Sequence, residues 1–199
     1  MTRLEKSAAE SGDLKKDSTK VRRRRRLAVE WAIIVAIAFG VSMFLRTYVV
    51  QTFFIPSGSM EPTLWKGDRI MVDKLSVRFG TINIGDIIVF RAPVDVKGDC
   101  GDPVADLVKR VVGLPGDHLV SKGNTIYVNG VPLDQKWSVW PTIGATPIRN
   151  VTVPSGQYFV MGDNHANSCD SRTWGTVPKS RIIGKVFLKI WPLGSVQWY

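Results

Sequence analysis

The feature that most constrains the fold is one uninterrupted apolar run near the N-terminus. The run "LAVEWAIIVAIAFGVSMFL" covers residues 27–45, and its only charged residue is Glu30. A helix of this length spans roughly 28 Å, close to the thickness of the hydrocarbon core of a bilayer. We therefore predict a single transmembrane anchor over residues 27–46. The following segment, "RTYVVQTFFIPS", has no small-x-small cleavage site, so we expect the anchor to be retained rather than cleaved as an export signal.

Most of the positive charge lies before this run. The formal net charge is +10, and residues 1–26 hold ten Lys/Arg against four acidic residues. This tail is polar and has no apolar periodicity, which predicts disorder. An arginine run such as Arg22–Arg26 is found in nucleic-acid-binding patches, but positive charge beside a membrane span is also retained in the cytoplasm. We favour the second reading and expect no nucleic-acid partner. The interpretation is a basic cytoplasmic tail, an anchor in the cytoplasmic membrane and an extracytoplasmic domain over residues 47–199.

The remainder of the chain has the pattern of a β protein. Short β-branched or aromatic runs, such as "GDIIVFRAP", "NTIYVNGVPL" and "RIIGKVFLKIWP", are bounded by Gly, Pro, Asn or Asp. The pair Asn129–Gly130 predicts a tight hairpin. Residues 131–150 are the least strand-like and predict an extended loop. The expected fold is mostly β: an antiparallel β-sheet or barrel-like body on a single N-terminal transmembrane helix.

The two cysteines leave two alternatives open. Cys100 and Cys169 both fall in the part that we place outside the cytoplasm, where a disulfide persists. A bridge between them and two free thiols are both compatible with the sequence.

The stretch "IPSGSMEPTL", which begins at Ile55, suggests a nucleophilic serine. A serine hydroxyl becomes reactive only when a base removes its proton. The candidate bases are His118, His165 and Lys109. Lysine can serve if burial lowers its pKa from about 10.4, and Lys109 lies in the apolar run "LVKRVV". Since neighbouring strand residues face opposite sides, Lys109 and Arg110 cannot share a face, and one of them must point inward or into a cleft.

Four motifs, taken together and in order, resemble those of a known family. They are "SGSMEPTL", "GDIIVF", "KRVVGLPGD" and "GDNHANSCDSR". This series resembles the bacterial type I signal peptidases, which are membrane-bound serine proteases with a Ser/Lys dyad, and the likeness extends over the anchor and nearly all of residues 50–190. The resemblance implies an endopeptidase that removes signal peptides from exported preproteins after an Ala-x-Ala-like site. Its partners would be preprotein signal peptides and the lipid bilayer, with no metal, cofactor or obligate partner subunit.

The resemblance also implies roles for individual residues near the nucleophile. Ser59 would be the nucleophile and Lys109 its general base. The Ser57 hydroxyl would join the Ser59 backbone N–H in an oxyanion hole, which binds the charge that develops on the carbonyl oxygen. Ser168 would hydrogen-bond the lysine and orient it.

Further residues would support the site or contact the substrate. By the same resemblance, Asp170 and Arg172 would form a supporting ion pair, and residues 162–164 would shape the adjoining turn. Shallow apolar pockets for small substrate side chains would be lined by Phe53, Ile55 and Val108.

The last motif departs from the family pattern, and other classes of protein stay open. His165 stands where the family usually has Arg, Ala166 where a charged or polar residue is common, and Cys169 where a small residue is common. His165 as the base, as in the related eukaryotic-type signal peptidases, is the alternative to Lys109. A catalytically inactive membrane-anchored binding module of the same fold is the alternative function. Self-cleaving repressors also use Ser and Lys on a β fold, but they lack the anchor.

Overall fold

The structure is a computed structural model that describes residues 3–93, 105–138 and 146–199. The chain separates into two compact units, one ending at Thr47 and one beginning at Tyr48.

The first unit is a single helix, α1, which spans Arg3–Tyr48. Within the part of the chain that the structure describes, its segment Arg26–Tyr48 contains an 18-residue stretch with a mean hydropathy of 2.2 and is long and apolar enough to cross a membrane. The helix α1 already begins at Arg3, because Lys, Arg, Glu, Ala and Leu favour helix and the chain has no proline before Pro56. The disorder expected of residues 1–26 stays a prediction.

The second unit is built from antiparallel strands with two short helices. The elements are β1 Val50–Phe54, β2 Arg69–Asp73, α2 Leu75–Phe79, β3 Ile87–Arg91, β4 Asp106–Gly113, β5 His118–Lys122, β6 Thr125–Val128, β7 Val131–Pro132, β8 Val151–Thr152, β9 Gln157–Met161, α3 Ser171–Trp174, β10 Val177–Pro178, β11 Ile182–Trp191 and β12 Gln197–Trp198. The larger sheet has the order β1-β2-β11-β3-β4-β9-β10, with β12 paired to β11, and the smaller has the order β7-β6-β5-β8. The mostly antiparallel β fold is thus confirmed.

Local sequence explains where the chain turns. Asn129 and Gly130 both have positive φ, 52° and 82°, and they connect β6 directly to β7 with Val128 opposite Val131. This is the tight hairpin that the sequence predicts, because only residues that tolerate positive φ fit such a two-residue turn. Beyond β7, residues 133–138 form no strand, as expected for a loop, and residues 139–145 lie outside the described residues.

Three clusters of buried apolar side chains form the core of this unit. One surrounds Phe90, against which Trp174 of α3 packs, and one joins the smaller sheet to the larger through Leu119 and Phe159. The third lies under the connection between β1 and β2 and contains Met60. This third cluster matters for function, because it anchors the serine-containing connection to the sheet.

A close approach between β11 and β2 makes Gly184 a sensitive position. A Cβ atom there would lie 2.5 Å from the carbonyl oxygen of Asp73 and 2.5 Å from Val72 Cγ1. We predict that Gly184→Ala lowers the free energy of unfolding by about 1–3 kcal/mol, the usual cost of overpacking. Urea denaturation in detergent measures this cost. The control is Gly194→Ala, since nothing lies within 4 Å of a Cβ there; equal stability of the two variants would contradict the packing argument.

Candidate active site

Ser59 lies on the connection between β1 and β2, which we call the Ser59 loop (residues 55–68). Backbone hydrogen bonds close the base of this loop: Ile55 donates to Asp68 and Gly67 donates to Ile55, both at 2.9 Å. Met60 and Leu64 are buried in the core cluster below. The residues that flank Ser59 are therefore held by burial and by backbone pairing, which limits the movement of its side chain.

Lys109 lies on β4, opposite Ile88 of β3, and is only 3% exposed. Its Nζ donates a hydrogen bond of 2.6 Å to Ser59 Oγ. Desolvation by burial is the largest influence on this amine and lowers its pKa from 10.5 to about 8, while the charge of Asp170 opposes the shift. An amine with this pKa exchanges protons readily near neutral pH, and it is already in contact with the hydroxyl.

Neither histidine occupies the position of a base. In the residues that the structure describes, neither His118 nor His165 has a hydrogen bond to Ser59. His118 is exposed on β5 and its ring contacts Asn150. His165 is buried, and desolvation together with the charge of Arg172 lowers its pKa. Of the three candidate bases, only Lys109 contacts the Ser59 hydroxyl among the described residues.

The other residues of the predicted site differ in how closely they approach Ser59. Ser57 is exposed and its Oγ lies 3.4 Å from Ser59 Oγ. Ser168 Oγ is buried and has no hydrogen-bond partner in the described parts of the chain. The hydrogen bond expected from Ser168 to Lys109 is therefore not formed here, because Lys109 Nζ is directed at Ser59 and Ser168 Oγ packs beside Gly162. Its role in orienting the lysine stays a prediction.

The turn at residues 162–164 is hydrogen-bonded to the Ser59 loop. The backbone N–H of Asn164 donates to the carbonyl oxygen of Ser59 at 3.1 Å, and its side-chain amide donates to that of Gly58 at 3.3 Å. A Cβ on Gly162 would lie 2.3 Å from both the Ser59 carbonyl oxygen and Ser168 Oγ. Glycine is required at residue 162 because two segments meet its backbone at this distance.

Asp170 and Arg172 form a buried, bidentate ion pair. The distances are 2.8 Å from Nε to Oδ1 and 2.7 Å from Nη2 to Oδ2, and Asp170 is fully buried. Asp170 also accepts the backbone N–H of Gly162 and caps α3, while Arg172 donates to the carbonyl oxygen of His165. One ion pair thereby fixes the whole segment that contains the last sequence motif.

The three predicted pocket residues share one region of the core. Ile55 is 2% exposed and belongs to the buried cluster, and Phe53 and Val108 are partly buried against it. Only Phe53 and Val108 keep appreciable exposed surface, so Ile55 can support a pocket from beneath but offers little surface to a ligand.

A second buried ion pair was not predicted from the sequence. Arg110 donates to Asp163 through Nε at 2.8 Å and Nη2 at 2.7 Å, and Asp163 also accepts the hydroxyl of Thr63 from the Ser59 loop. The alternation argument required only one of Lys109 and Arg110 to point inward; both are buried, each with its own partner. The signal for this pair was the presence of two adjacent basic residues in one apolar strand.

The outcome for the cysteines is partial. Cys169 is disulfide-bonded. Cys100 lies outside the described residues.

Comparison with known proteins identifies the class to which this fold and site belong. The family model described as "Signal peptidase, peptidase S26" matches residues 28–191, and the chain belongs to this family of serine peptidases. The chain is 40% identical over 166 residues to probable signal peptidase I-2 of Synechocystis, which covers 83% of this chain and 71% of that protein. It is 33% identical over 187 residues to signal peptidase IB of Staphylococcus aureus, covering 85% and 93%. A crystal structure of a signal peptidase I from Enterococcus faecalis matches with 28% identity and a TM-score of 0.44, covering 53% of this chain and 96% of that one.

The buried ion pair between Arg110 and Asp163 makes a strong stability prediction. Asp163→Asn leaves the guanidinium buried without its counter-charge, and we expect a loss of about 3–5 kcal/mol in the free energy of unfolding. The matched control is Asp134→Asn, because Asp134 pairs with Lys136 at the surface, where both side chains are largely exposed. That change should cost less than about 1 kcal/mol. Urea denaturation of the two variants checks the difference, and similar losses would contradict it.

The lowered pKa of Lys109 predicts a pH dependence of stability. The unfolded chain, with the ordinary value of 10.5, binds more protons than the folded chain between about pH 8 and 10.5. The free energy of unfolding therefore gains a contribution from Lys109 as the pH rises through this window, about 3 kcal/mol in all. Lys109→Met lacks the contribution, so its stability advantage over wild type should be largest below pH 8 and shrink towards pH 10.5. A difference between the two proteins that is constant with pH would show that Lys109 is not desolvated.

Proposed function

We propose that this member of the S26 family is a membrane-anchored serine endopeptidase that removes signal peptides from exported preproteins, with Ser59 as nucleophile and Lys109 as general base. The observation that carries the proposal is the 2.6 Å contact between Ser59 Oγ and the Nζ of a buried lysine. The alternative of an inactive binding module leaves this contact unexplained, because burying a lysine lowers stability and a binding module has no use for a buried amine beside a serine.

The reaction would begin with proton transfer between these two atoms. The neutral amine of Lys109 accepts the Ser59 proton as Oγ attacks the scissile carbonyl, and it then delivers that proton to the leaving amine. Water, activated by the same amine, would hydrolyse the acyl-enzyme. With a pKa of about 8, roughly one-tenth of the lysine is neutral at pH 7, and this fraction increases as the pH rises.

Stabilisation of the tetrahedral intermediate would come from donors beside the nucleophile. The Ser57 hydroxyl, 3.4 Å from Ser59 Oγ, and the Ser59 backbone N–H would bind the oxyanion. Removing one such donor in other serine peptidases lowers the rate by about 10²–10³. Ser168 would orient Lys109 after a small rotation of its hydroxyl, which is buried nearby without a partner among the described residues.

The substrate would be a preprotein with an Ala-x-Ala-like site. Phe53 and Val108 are partly buried on one apolar cluster, with Ile55 beneath them, and suit small side chains in shallow pockets. The comparisons support this substrate class, since the relatives are named signal peptidases.

The membrane would hold enzyme and substrate together. We propose that residues 27–46 anchor the chain in the cytoplasmic membrane, with residues 1–26 in the cytoplasm and residues 47–199 outside. Ser59 follows Leu45 by 14 residues, a short tether. A signal peptide lies in the same bilayer, so confinement of both partners to one plane raises their effective concentration.

Cleavage of a defined precursor tests the proposal. The full-length protein in detergent is mixed with an exported precursor that carries an Ala-x-Ala site, and the product is identified by mass spectrometry. We expect one cut after the second Ala for wild type, no detectable cut for Lys109→Met, and a wild-type rate for Lys179→Met, since Lys179 is an exposed surface lysine. If Lys109→Met cleaves as fast as wild type, the base must be sought at His165 or His118.

The pH profile provides a second, independent prediction. Because the reactive form of Lys109 is the neutral amine, kcat/KM should rise as the pH increases through about 8. Precursor cleavage is measured from pH 6 to 10. A profile that levels off near pH 6.5, the ordinary pKa of histidine, would contradict the role of the lysine.

A further inference from the structure

The loop that follows β7 has a defined course over the active-site region. We call residues 133–138 the strap. Its first backbone N–H, from Leu133, donates to Ile126 of β6 at 2.8 Å, and the Leu133 side chain packs against the core of the smaller sheet. At its other end, the N–H of Ser138 donates to the carbonyl oxygen of Gln135 at 2.9 Å and closes a turn. A backbone hydrogen bond thus ties the first end of the strap to β6, and the last four residues of the strap form a turn.

The last two residues of the strap contact both members of the Arg110–Asp163 ion pair. The guanidinium carbon of Arg110 lies 4.8 Å from the centroid of the Trp137 ring. The hydroxyl of Ser138 donates to the backbone carbonyl oxygen of Asp163 at 2.8 Å. Trp137 therefore packs on the face of the Arg110 guanidinium, and Ser138 binds the main chain of Asp163.

Both members of the ion pair are adjacent in sequence to residues that contact Ser59. Arg110 directly follows Lys109 on β4. Asp163 directly precedes Asn164, whose backbone N–H donates to the Ser59 carbonyl oxygen at 3.1 Å. A shift of the Arg110–Asp163 pair would therefore displace Lys109 on β4 and the turn that binds the Ser59 carbonyl oxygen. The 2.6 Å contact between Lys109 and Ser59 depends on the position of this ion pair.

We propose that Trp137 and Ser138 are positioning residues of the peptidase, which act through Arg110 and Asp163 on the Ser59–Lys109 contact; this rests on the reaction proposed above. The Trp137 ring attracts the guanidinium through its π face and keeps water from it, and exclusion of water strengthens the pair. Ser138 fixes the turn at residues 162–164 through the Asp163 carbonyl. The strap thereby sets kcat rather than substrate affinity.

Paired substitutions of one ring isolate this effect. Trp137→Leu keeps an apolar cover but removes the π face, and we expect kcat to fall about tenfold with KM within about twofold of wild type. Trp137→Phe keeps a π face and should restore kcat to within about threefold of wild type. The matched control is Trp198→Leu, since Trp198 is exposed and packs on Phe187; its kcat should equal that of wild type. Thermal unfolding of each variant verifies that it is folded at the assay temperature.

A spectroscopic measurement on Arg110 distinguishes positioning from a merely structural role and does not need activity. In ¹H–¹⁵N spectra of the full-length protein, the Arg110 Nε–H should exchange slowly in wild type and in Trp137→Phe, and at least about tenfold faster in Trp137→Leu. A loss of kcat without faster exchange, or an unchanged kcat in Trp137→Leu, would overturn the proposal.

Ser138→Ala decides the case if Trp137→Leu does not fold, because it deletes one oxygen only. We expect kcat to fall about threefold at unchanged KM, as for loss of one neutral hydrogen bond, and a wild-type kcat would overturn the proposal. If wild type itself leaves the precursor uncut, the proposed function fails. The Arg110 exchange rates still decide whether the strap holds the ion pair.

Discussion

The site depends on keeping one lysine out of water beside one serine. Burying an ammonium group is unfavourable. The 2.6 Å contact between Lys109 and Ser59 therefore needs a fold that holds the amine in the protein interior. The fold achieves this by placing Lys109 on β4, which lies inside the larger sheet between β3 and β9. The Ser59 loop, which connects β1 and β2, then covers the amine, with Met60 in the core below. The position of the strand and the burial of the loop are both needed for the contact.

Two ion pairs then influence the pKa of Lys109 through their charges. Asp170 and Asp163 both favour the ammonium form of Lys109, and Arg172 opposes it. Each carboxylate is bound bidentately by its own arginine, so neither is available as a direct partner for the amine. Desolvation therefore has the larger effect, and the pKa of Lys109 falls. The same two pairs tie the turn at residues 162–164 to β4 and to α3, so they serve both the electrostatics and the geometry of the site.

Local patterns predicted a large part of this structure. The apolar run, the β-rich runs and the Asn129–Gly130 turn depend only on neighbouring residues, and the elements appear where those patterns placed them. Residues 3–26 are different: their charge predicts disorder, which stays a prediction, while their good helix formers allow α1 to continue through them. Disorder and helix have overlapping compositions in a Lys/Arg/Glu/Ala-rich segment, so composition could not separate them.

Candidate site residues could be predicted only where they belong to a recognisable sequence motif. Lys109 was a candidate base because of its apolar flanks, but only the resemblance paired it with Ser59, because 50 residues separate the two and no local pattern joins them. The Arg110–Asp163 pair was missed, since it depends on the register that sets Arg110 opposite Met161 on β9. Trp137 was missed for a related reason: residues 131–150 have no strand or helix pattern, and its contact with Arg110 exists only once the sheets are assembled. Which residues face each other across distant strands cannot be deduced from a single sequence.

Direct titration of the Lys109 amine tests the central claim. The full-length protein in detergent, with ¹³C label at lysine Cε and with Lys109→Met to assign the signal, is followed by NMR from pH 6 to 11. We expect a midpoint of about 8 for Lys109. A midpoint near the ordinary value of about 10.4 would contradict it, because the amine would then be solvated and charged, and unable to act as the base of Ser59.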